Sequence, residues 1–305
     1  MHVIRTFANA CAALLLLSAC DAQSSTKSVD ATAAQSSPVR SGYAQSGPLK
    51  VYYEVHGSGE PVLLIPGALS TIDTSFGTIL PELAKSRQVI AMESQGHGHT
   101  PDIDRPLTMA QMGDDAAAVL KHLKIDRADV VGYSDGGDVA VSLAIRHPER
   151  VRKLVVLDGN YDKEGLRPEI RQAIDLGRTV TPETVPPEFG GSLKQEYAKV
   201  APDPARWPVL VTKVLRHAVA SKPWTPEELH GITGPTMLIF ADHGQSTLQH
   251  MVKMHSMHRN ASLAVIPGRD HINLVEETDT LRPILLEFLN EPAVTPKIPV
   301  ADKEL

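Results

Sequence analysis

The sequence predicts an α/β fold, an open and mostly parallel sheet with helices on both faces, and three observations predict it. From residue 49 onward, short runs of Val, Ile and Leu recur without polar alternation, as in strands buried on both faces. Amphipathic stretches of helical period separate the runs, so strand and helix alternate. Near the middle, one run passes through Gly132-Tyr133-Ser134-Asp135-Gly136 straight into a helical pattern.

Taken in order, the strands fall at 49–55, 62–65, 88–92, 129–133, 153–157, 236–240 and 262–266. The clearest helix covers 109–123, opened by Thr108 with Gln111 in capping-box spacing. A second helix, 137–146, follows the fourth run directly, and a third, 280–289, closes the domain. Residues 159–231 break the rhythm with nine prolines, both tryptophans (Trp207 and Trp224) and helix-like stretches at 168–176 and 204–220. That span is far longer than a connection requires, and it reads as a helical cap over the carboxyl ends of the strands. The sheet domain then comprises 49–158 and 232–290, with a tail at 291–305.

The N-terminus is a separate object. Arg5 precedes a short Ala- and Leu-rich stretch from Phe7 to Ala19, too short to span a bilayer comfortably and of signal-peptide type. Its end, Leu17-Ser18-Ala19-Cys20, resembles a bacterial lipobox, so residues 1–19 are expected to be cleaved and Cys20 lipidated. Cys11 leaves with the signal peptide, and the mature domain then needs no disulfide. Residues 21–48 are rich in Ser, Ala, Gln and Thr, cannot repay their ordering entropy, and are expected to form a flexible tether. The expected location is the cell envelope, facing the periplasm, with Asp21 after the lipidated Cys resembling an inner-membrane retention signal.

Composition narrows the function classes. Hydrophobic residues make up 42% of the 305, enough for a sizeable core, and 30 Lys and Arg face 36 Asp and Glu. That balance gives no electrostatic footprint for nucleic acid, and no basic patch for phosphate or membrane surfaces. No phosphate-loop or dinucleotide fingerprint occurs. His243, His250, His255 and His258 have no zinc spacing and read as a solvated helix face, while His97 and His99 read as structural members of a Gly-rich loop.

The strand-turn-helix at Ser134 carries the chemistry. A tight, strained bend between strand and helix needs glycines on either side, and it lifts the Ser hydroxyl to the head of the helix. Pro66-Gly67-Ala68 follows the second strand, where the amide of Ala68, with that of Asp135, can face a developing oxyanion. His271, in Gly268-Arg269-Asp270-His271 after the last strand, lies where it reaches the strand tips as a base suited to neutral pH.

With Ser94-Gln95-Gly96-His97-Gly98 added, these segments come in the order and spacing of bacterial α/β hydrolases, and the chain resembles that superfamily over 49–289, in its serine hydrolase and carboxylesterase form. The resemblance implies an eight-stranded sheet, a cap inserted after the sixth strand, no cofactor or metal, and hydrolysis of small acyl esters through an acyl-enzyme. Amidase or cofactor-free perhydrolase chemistry is open to the same residues, and so is a binding lipoprotein on a decayed scaffold. Dehalogenase and epoxide hydrolase relatives would carry Asp in place of Ser134.

Two positions depart from the pattern. Pro66-Gly67 stands where His-Gly is usual, and Gly244 occupies the expected place of the triad acid. Asp158, at the end of the fifth run, and Asp242, on the loop of Gly244, are the two candidates for that acid. Asp158 is favoured for its rigid mount on a strand.

Overall fold

In the computed structural model, which describes residues 40–290, the apolar runs become a single eight-stranded sheet. Its strands are β1 (Arg40–Ser46), β2 (Leu49–His56), β3 (Glu60–Ile65), β4 (Arg87–Met92), β5 (Ala128–Tyr133), β6 (Val151–Leu157), β7 (Thr236–His243) and β8 (Ala261–Asp270). Spatially they run β1-β2-β4-β3-β5-β6-β7-β8. The β1–β2 and β2–β4 pairs are antiparallel, and every other pair is parallel. β5, every residue of which is buried, lies in the middle of the parallel part, and its carboxyl end delivers Ser134.

The helices are α1 (Ile72–Phe76), α2 (Leu80–Ala84), α3 (Met109–His122), α4 (Asp135–Arg146), α5 (Pro168–Asp175), α6 (Gly191–Val200), α7 (Trp207–Ala220), α8 (Pro226–His230), α9 (Leu248–Met257), α10 (Asn273–Glu276) and α11 (Leu281–Asn290). One sheet face packs Leu63, Ile65, Val130 and Val156 against α3, α4 and the methionines of α9. The other packs Val62, Leu64, Val131 and Val155 against α1, α2, α10 and α11. Thr108 caps α3 as its spacing predicts, its side chain accepting the amide of Gln111.

Residues between β6 and β7 form four helices, α5 to α8, joined by short 3₁₀ turns. A third apolar cluster holds this region together, with Trp207, Phe189, Tyr197, Leu210 and Val211 around one another and Leu69 of the sheet domain among them. Leu69 stands at φ 62 in the loop after β3, so the cap's core touches the segment that carries Ala68. The segment 204–220 begins as a 3₁₀ turn and becomes α helix at Trp207.

Two expectations need correction, and one helix was not expected. The stretch expected to be a tether ends sooner, because Arg40–Ser46 forms β1 and pairs along its length with β2. Its composition is poor in large apolar residues, but the sheet edge satisfies its backbone, Ala44 is fully buried, and Ser46 Oγ donates to Asp115 Oδ1 at 2.6 Å. α6 had no sequence expectation, since its flanking Gly190-Gly191 pair and polar face resemble a loop. The histidines of the α9 segment do not form a solvated face. His250 and His258 are buried, and the His250 ring stacks on Tyr161 with centroids 4.3 Å apart. The expected signal peptide, Cys20, the tether up to residue 39 and the tail 291–305 lie outside the described residues.

Candidate active site

Ser134 sits between β5 and α4 at φ 54, ψ −127, a conformation that non-glycine residues seldom adopt. The glycines around it are there for room: a Cβ on Gly132 would lie 2.1 Å from the carbonyl oxygen of Gly136, and one on Gly136 would lie 2.1 Å from that of Ile65. The Ser134 amide donates to Leu157 O at 2.8 Å, which fixes the bend to the end of β6. β6 also supplies Asp158, itself at φ 47, whose amide donates to Ile239 O at 2.7 Å.

Across the strand tips, the loop after β8 brings in His271. Its neighbours Asp270 and Asn273 exchange bonds: Asp270 Oδ1 accepts the amides of Ile272 and Asn273, and Asn273 Oδ1 accepts that of Asp270. Beneath, the Tyr133 ring stacks on the imidazole with centroids 4.9 Å apart, and Tyr133 Oη donates to His271 O at 2.7 Å. Burial, and then the Asp158 charge, hold that phenol well above its ordinary range, so it remains a donor.

These elements bring three of the expected residues into one line. His271 Nε2 lies 2.9 Å from Ser134 Oγ, and His271 Nδ1 lies 2.5 Å from Asp158 Oδ2. Asp158 is 3% exposed, and its two carboxylate oxygens also accept the amides of Ala241 and Gln245 at 3.4 Å. The arrangement has a nucleophilic oxygen, a base within reach of its proton, and a buried carboxylate holding the base.

Asp242 is not in that line. Its Oδ1 accepts the amide of Arg269, and its Oδ2 lies 3.8 Å from His243. Bonds from the amides of Gly268 and Arg269 hold its carboxyl below the usual range. It ties the β7 and β8 ends together, beside the register shift between Ala241 and His243. On the opposite side of the site, Gly67 packs against the nucleophile, and a Cβ there would fall 3.1 Å from Ser134 Cβ. The Gly67 amide is taken by Ser75 Oγ at 3.3 Å, and the next residue in the chain is Ala68, expected with Asp135 as an oxyanion donor.

Two groups near Ser134 were not singled out from sequence. His217, on α7, is buried with Nε2 3.7 Å from Asp135 Oδ1. Burial acts to lower its pKa, but the bond and charge of Asp135 outweigh this and raise it above 6.5. Asp138, one turn into α4, is buried, and its carboxyl is held well above the usual range by burial and by the charge of Asp135. An acidic residue directly before the apolar run Val139-Ala140-Val141 was the signal for it; for His217 the sequence has none, because the cap's packing decides its partner. His97 is buried and held below its ordinary pKa by that burial, with Nδ1 3.0 Å from Gln95 O, in keeping with the expected structural role.

Known proteins share this fold. The family model for the alpha/beta hydrolase fold matches residues 60–180. A 2-hydroxymuconate semialdehyde hydrolase from Pseudomonas sp. (strain CF600) is 42% identical over 104 residues, 33% of this chain and 37% of that protein. A putative carbamate hydrolase from Azorhizobium caulinodans is 35% identical over 120 residues, 38% of this chain and 44% of that protein. The chain thus matches less than half the length of these relatives. Among solved structures, a thermophilic esterase from Thermogutta terrifontis superposes with TM-score 0.67 at 22% identity, covering 82% of this chain and 97% of that one. A 2-hydroxy-6-oxo-6-phenylhexa-2,4-dienoate hydrolase from Rhodococcus sp. strain RHA1 gives 0.67 at 19% identity, covering 81% and 97%. By its sheet order, its strand-Ser-helix bend and these matches, the chain has the α/β-hydrolase fold, and its residues 60–180 match the family model of that fold.

Proposed function

We propose that the protein is a serine hydrolase that cleaves small to medium carboxylic esters through an acyl-enzyme. One observation carries the reading: His271 bridges Ser134 Oγ at 2.9 Å and Asp158 Oδ2 at 2.5 Å. His271 Nε2 takes the Ser134 proton as Oγ attacks the acyl carbonyl, and the amides of Ala68 and Asp135 receive the oxyanion. The imidazolium then protonates the leaving alcohol. Water, deprotonated by His271, attacks the acyl-enzyme and releases the acid. Asp158 keeps Nδ1 protonated and stabilises the imidazolium without itself taking the proton.

A missing acid at Gly244 would favour a decayed binding protein, whereas a carboxylate supplied by Asp158 favours a working enzyme. The Pseudomonas relative is named for hydrolysis of 2-hydroxymuconate semialdehyde, which makes semialdehydes of that type the second substrate class to assay beside esters. Attachment of the domain to a membrane through lipid on Cys20, facing the periplasm, is part of the proposal and rests on residues 17–20 alone.

The test is covalent labelling with a fluorophosphonate, with peptide mapping, alongside turnover of p-nitrophenyl acetate. Ser134 should carry the label, and Ser134→Ala should lose turnover by on the order of 10⁶. Label on another serine, or an active alanine variant, rejects the assignment.

A further inference from the structure

The triad acid stands on a left-handed residue, Asp158, followed by Gly159 and Asn160 where the chain leaves the sheet for the cap. That turn has a fastening of its own. Asp138 lies one turn into α4, the helix that begins immediately after Ser134, and is 6% exposed. Its Oδ1 accepts the main-chain N–H of Asn160 at 2.8 Å, and its Oδ2 accepts the Asn160 side-chain N–H at 3.0 Å. Gly159 is wedged beneath the pair: a Cβ there would fall 2.9 Å from Asp138 Oδ1 and 2.7 Å from Val156 Cγ1.

No cation meets this carboxylate among the described residues. A buried carboxylate without a cation is unfavourable for stability, and an apolar residue of similar size would pack the helix better. What Asp138 does that no apolar residue can is to grip both donors of Asn160. The strained turn is then held on two sides. Ser134 N bonds Leu157 O at 2.8 Å just before Asp158, and Asp138 bonds Asn160 just after it.

We propose that Asp138 is a positioning residue for the triad acid: with Asn160 it forms a bracket that holds the Asp158 turn against the helix of the nucleophile. Ser134 and Asp158 are thereby referred to one rigid element, α4, although they come from different strands. The inference rests on Ser134, His271 and Asp158 acting as a triad. It extends to Asn160 as the first residue of the cap that bears on the chemistry, through Asp158 and His271 and without touching substrate.

Two substitutions separate positioning from packing. Asp138→Ala removes both bonds. Asp138→Asn retains both when the Asn160 amide turns over, its Oδ1 then accepting from the new side-chain N–H. Asp138→Ala should lower kcat roughly 10- to 100-fold, the cost of a misplaced catalytic group, while KM stays within about threefold. The downfield proton resonance of the His271 Nδ1–Asp158 bond should weaken or move, and Asp138→Asn should restore both readouts.

If Asp138→Ala loses only thermal stability and keeps kcat and the resonance, Asp138 is a packing residue and the proposal fails. It also fails if Asp138→Asn is as impaired as Asp138→Ala. Should Asp138→Ala not fold, Asn160→Ala, which deletes only the side-chain half of the bracket, decides: a lowered kcat with a shifted resonance supports it, and wild-type values overturn it. Absence of both ester turnover and fluorophosphonate labelling in the wild type would reject the triad reading instead. The resonance would still report whether the bracket holds Asp158 against His271.

Discussion

Gly244 faces the carboxylate of Asp158 so closely that a Cβ on it would lie 2.5 Å from Asp158 Oδ2 and 2.6 Å from Oδ1. The position from which a triad acid is expected carries no side chain, and the carboxylate of Asp158, at the end of the neighbouring strand, fills the space. A side chain at 244 and a carboxylate at 158 exclude one another. On the proposed reading, the absence of a side chain at Gly244 makes room for the acid and belongs to the site.

Gly244→Ala should accordingly displace Asp158 and lower kcat, with about 1–3 kcal/mol lost to overpacking. Urea unfolding and ester turnover on the same preparation check both parts. The reciprocal exchange is more telling. Asp158→Gly keeps a residue suited to φ 47, and adding Gly244→Asp returns a carboxylate to the vacated space. The double variant should recover at least ~10-fold in kcat over Asp158→Gly alone, a fraction of what a triad acid contributes. A double variant no better than the single would mean that the loop of Gly244 cannot present an acid to His271.

Asp158→Asn should lower kcat by up to ~10⁴, because an amide at that place favours the wrong imidazole tautomer. Asp242→Asn should cost less than about tenfold, since its carboxyl accepts main-chain amides, that of Arg269 among them, and an amide oxygen can do the same. Near-ultraviolet circular dichroism would establish that both variants are folded. A larger loss at Asp242 would reassign the acid against the observed geometry.

The sheet domain was largely legible because its strands are buried on both faces. Runs such as Val130-Val131 and Val155-Val156 have no other use than to be covered by helices, and their order fixes where Ser134 and His271 meet. The choice between Asp158 and Asp242 was not legible as a fact, only as a preference. It turns on whether the chain after β7 approaches the imidazole, a question of bulge and loop path that spacing does not encode. β1 was missed for the opposite reason: its residues are ordinary, and a neighbouring strand makes it a strand. The contacts of His217 and Asp102 with their partners depend on how the cap lies on the sheet, which composition does not disclose.

The His217–Asp135 contact predicts a pH dependence of stability. The folded pKa of His217 is raised above its ordinary 6.5, burial opposing and the Asp135 bond and charge prevailing. A folded value above the unfolded one stabilises most when the imidazole is charged in both states. The contribution is thus full below about pH 6.5 and lost as pH rises through the folded value. The melting temperature of the wild type should exceed that of Asp135→Asn by more at about pH 6 than at about pH 9. A difference constant across that range would show that the pair contributes no charge interaction.

Another attachment of the cap is Asp102, whose side chain is 6% exposed and receives three donors. Arg206 Nη2 reaches Oδ2 at 2.6 Å, Lys213 Nζ reaches Oδ1 at 2.7 Å, and Gln95 Nε2 donates to Oδ1 at 2.9 Å. Arg206 precedes α7 and Lys213 lies on it, while Gln95 belongs to the loop after β4, so one carboxylate joins cap to sheet domain. Arg206 is 43% exposed and returns to water when the bond is lost, whereas Lys213 also donates to Ile103 O and Arg105 O and stays held. Asp102→Ala should therefore cost about 1–3 kcal/mol, the range for bonds to a charged group, and should not unfold the domain. Its functional effect should fall on binding. A cap freed from Asp102 leaves the distances among Ser134, His271 and Asp158 intact, because none of their bonds passes through α7. KM for a bulky acyl ester should rise several-fold at nearly constant kcat, and hydrogen exchange should quicken in α7 but not in β5 or β6. An equal loss of kcat for small and bulky esters alike would place Asp102 in the support of the triad and not in the seating of the cap.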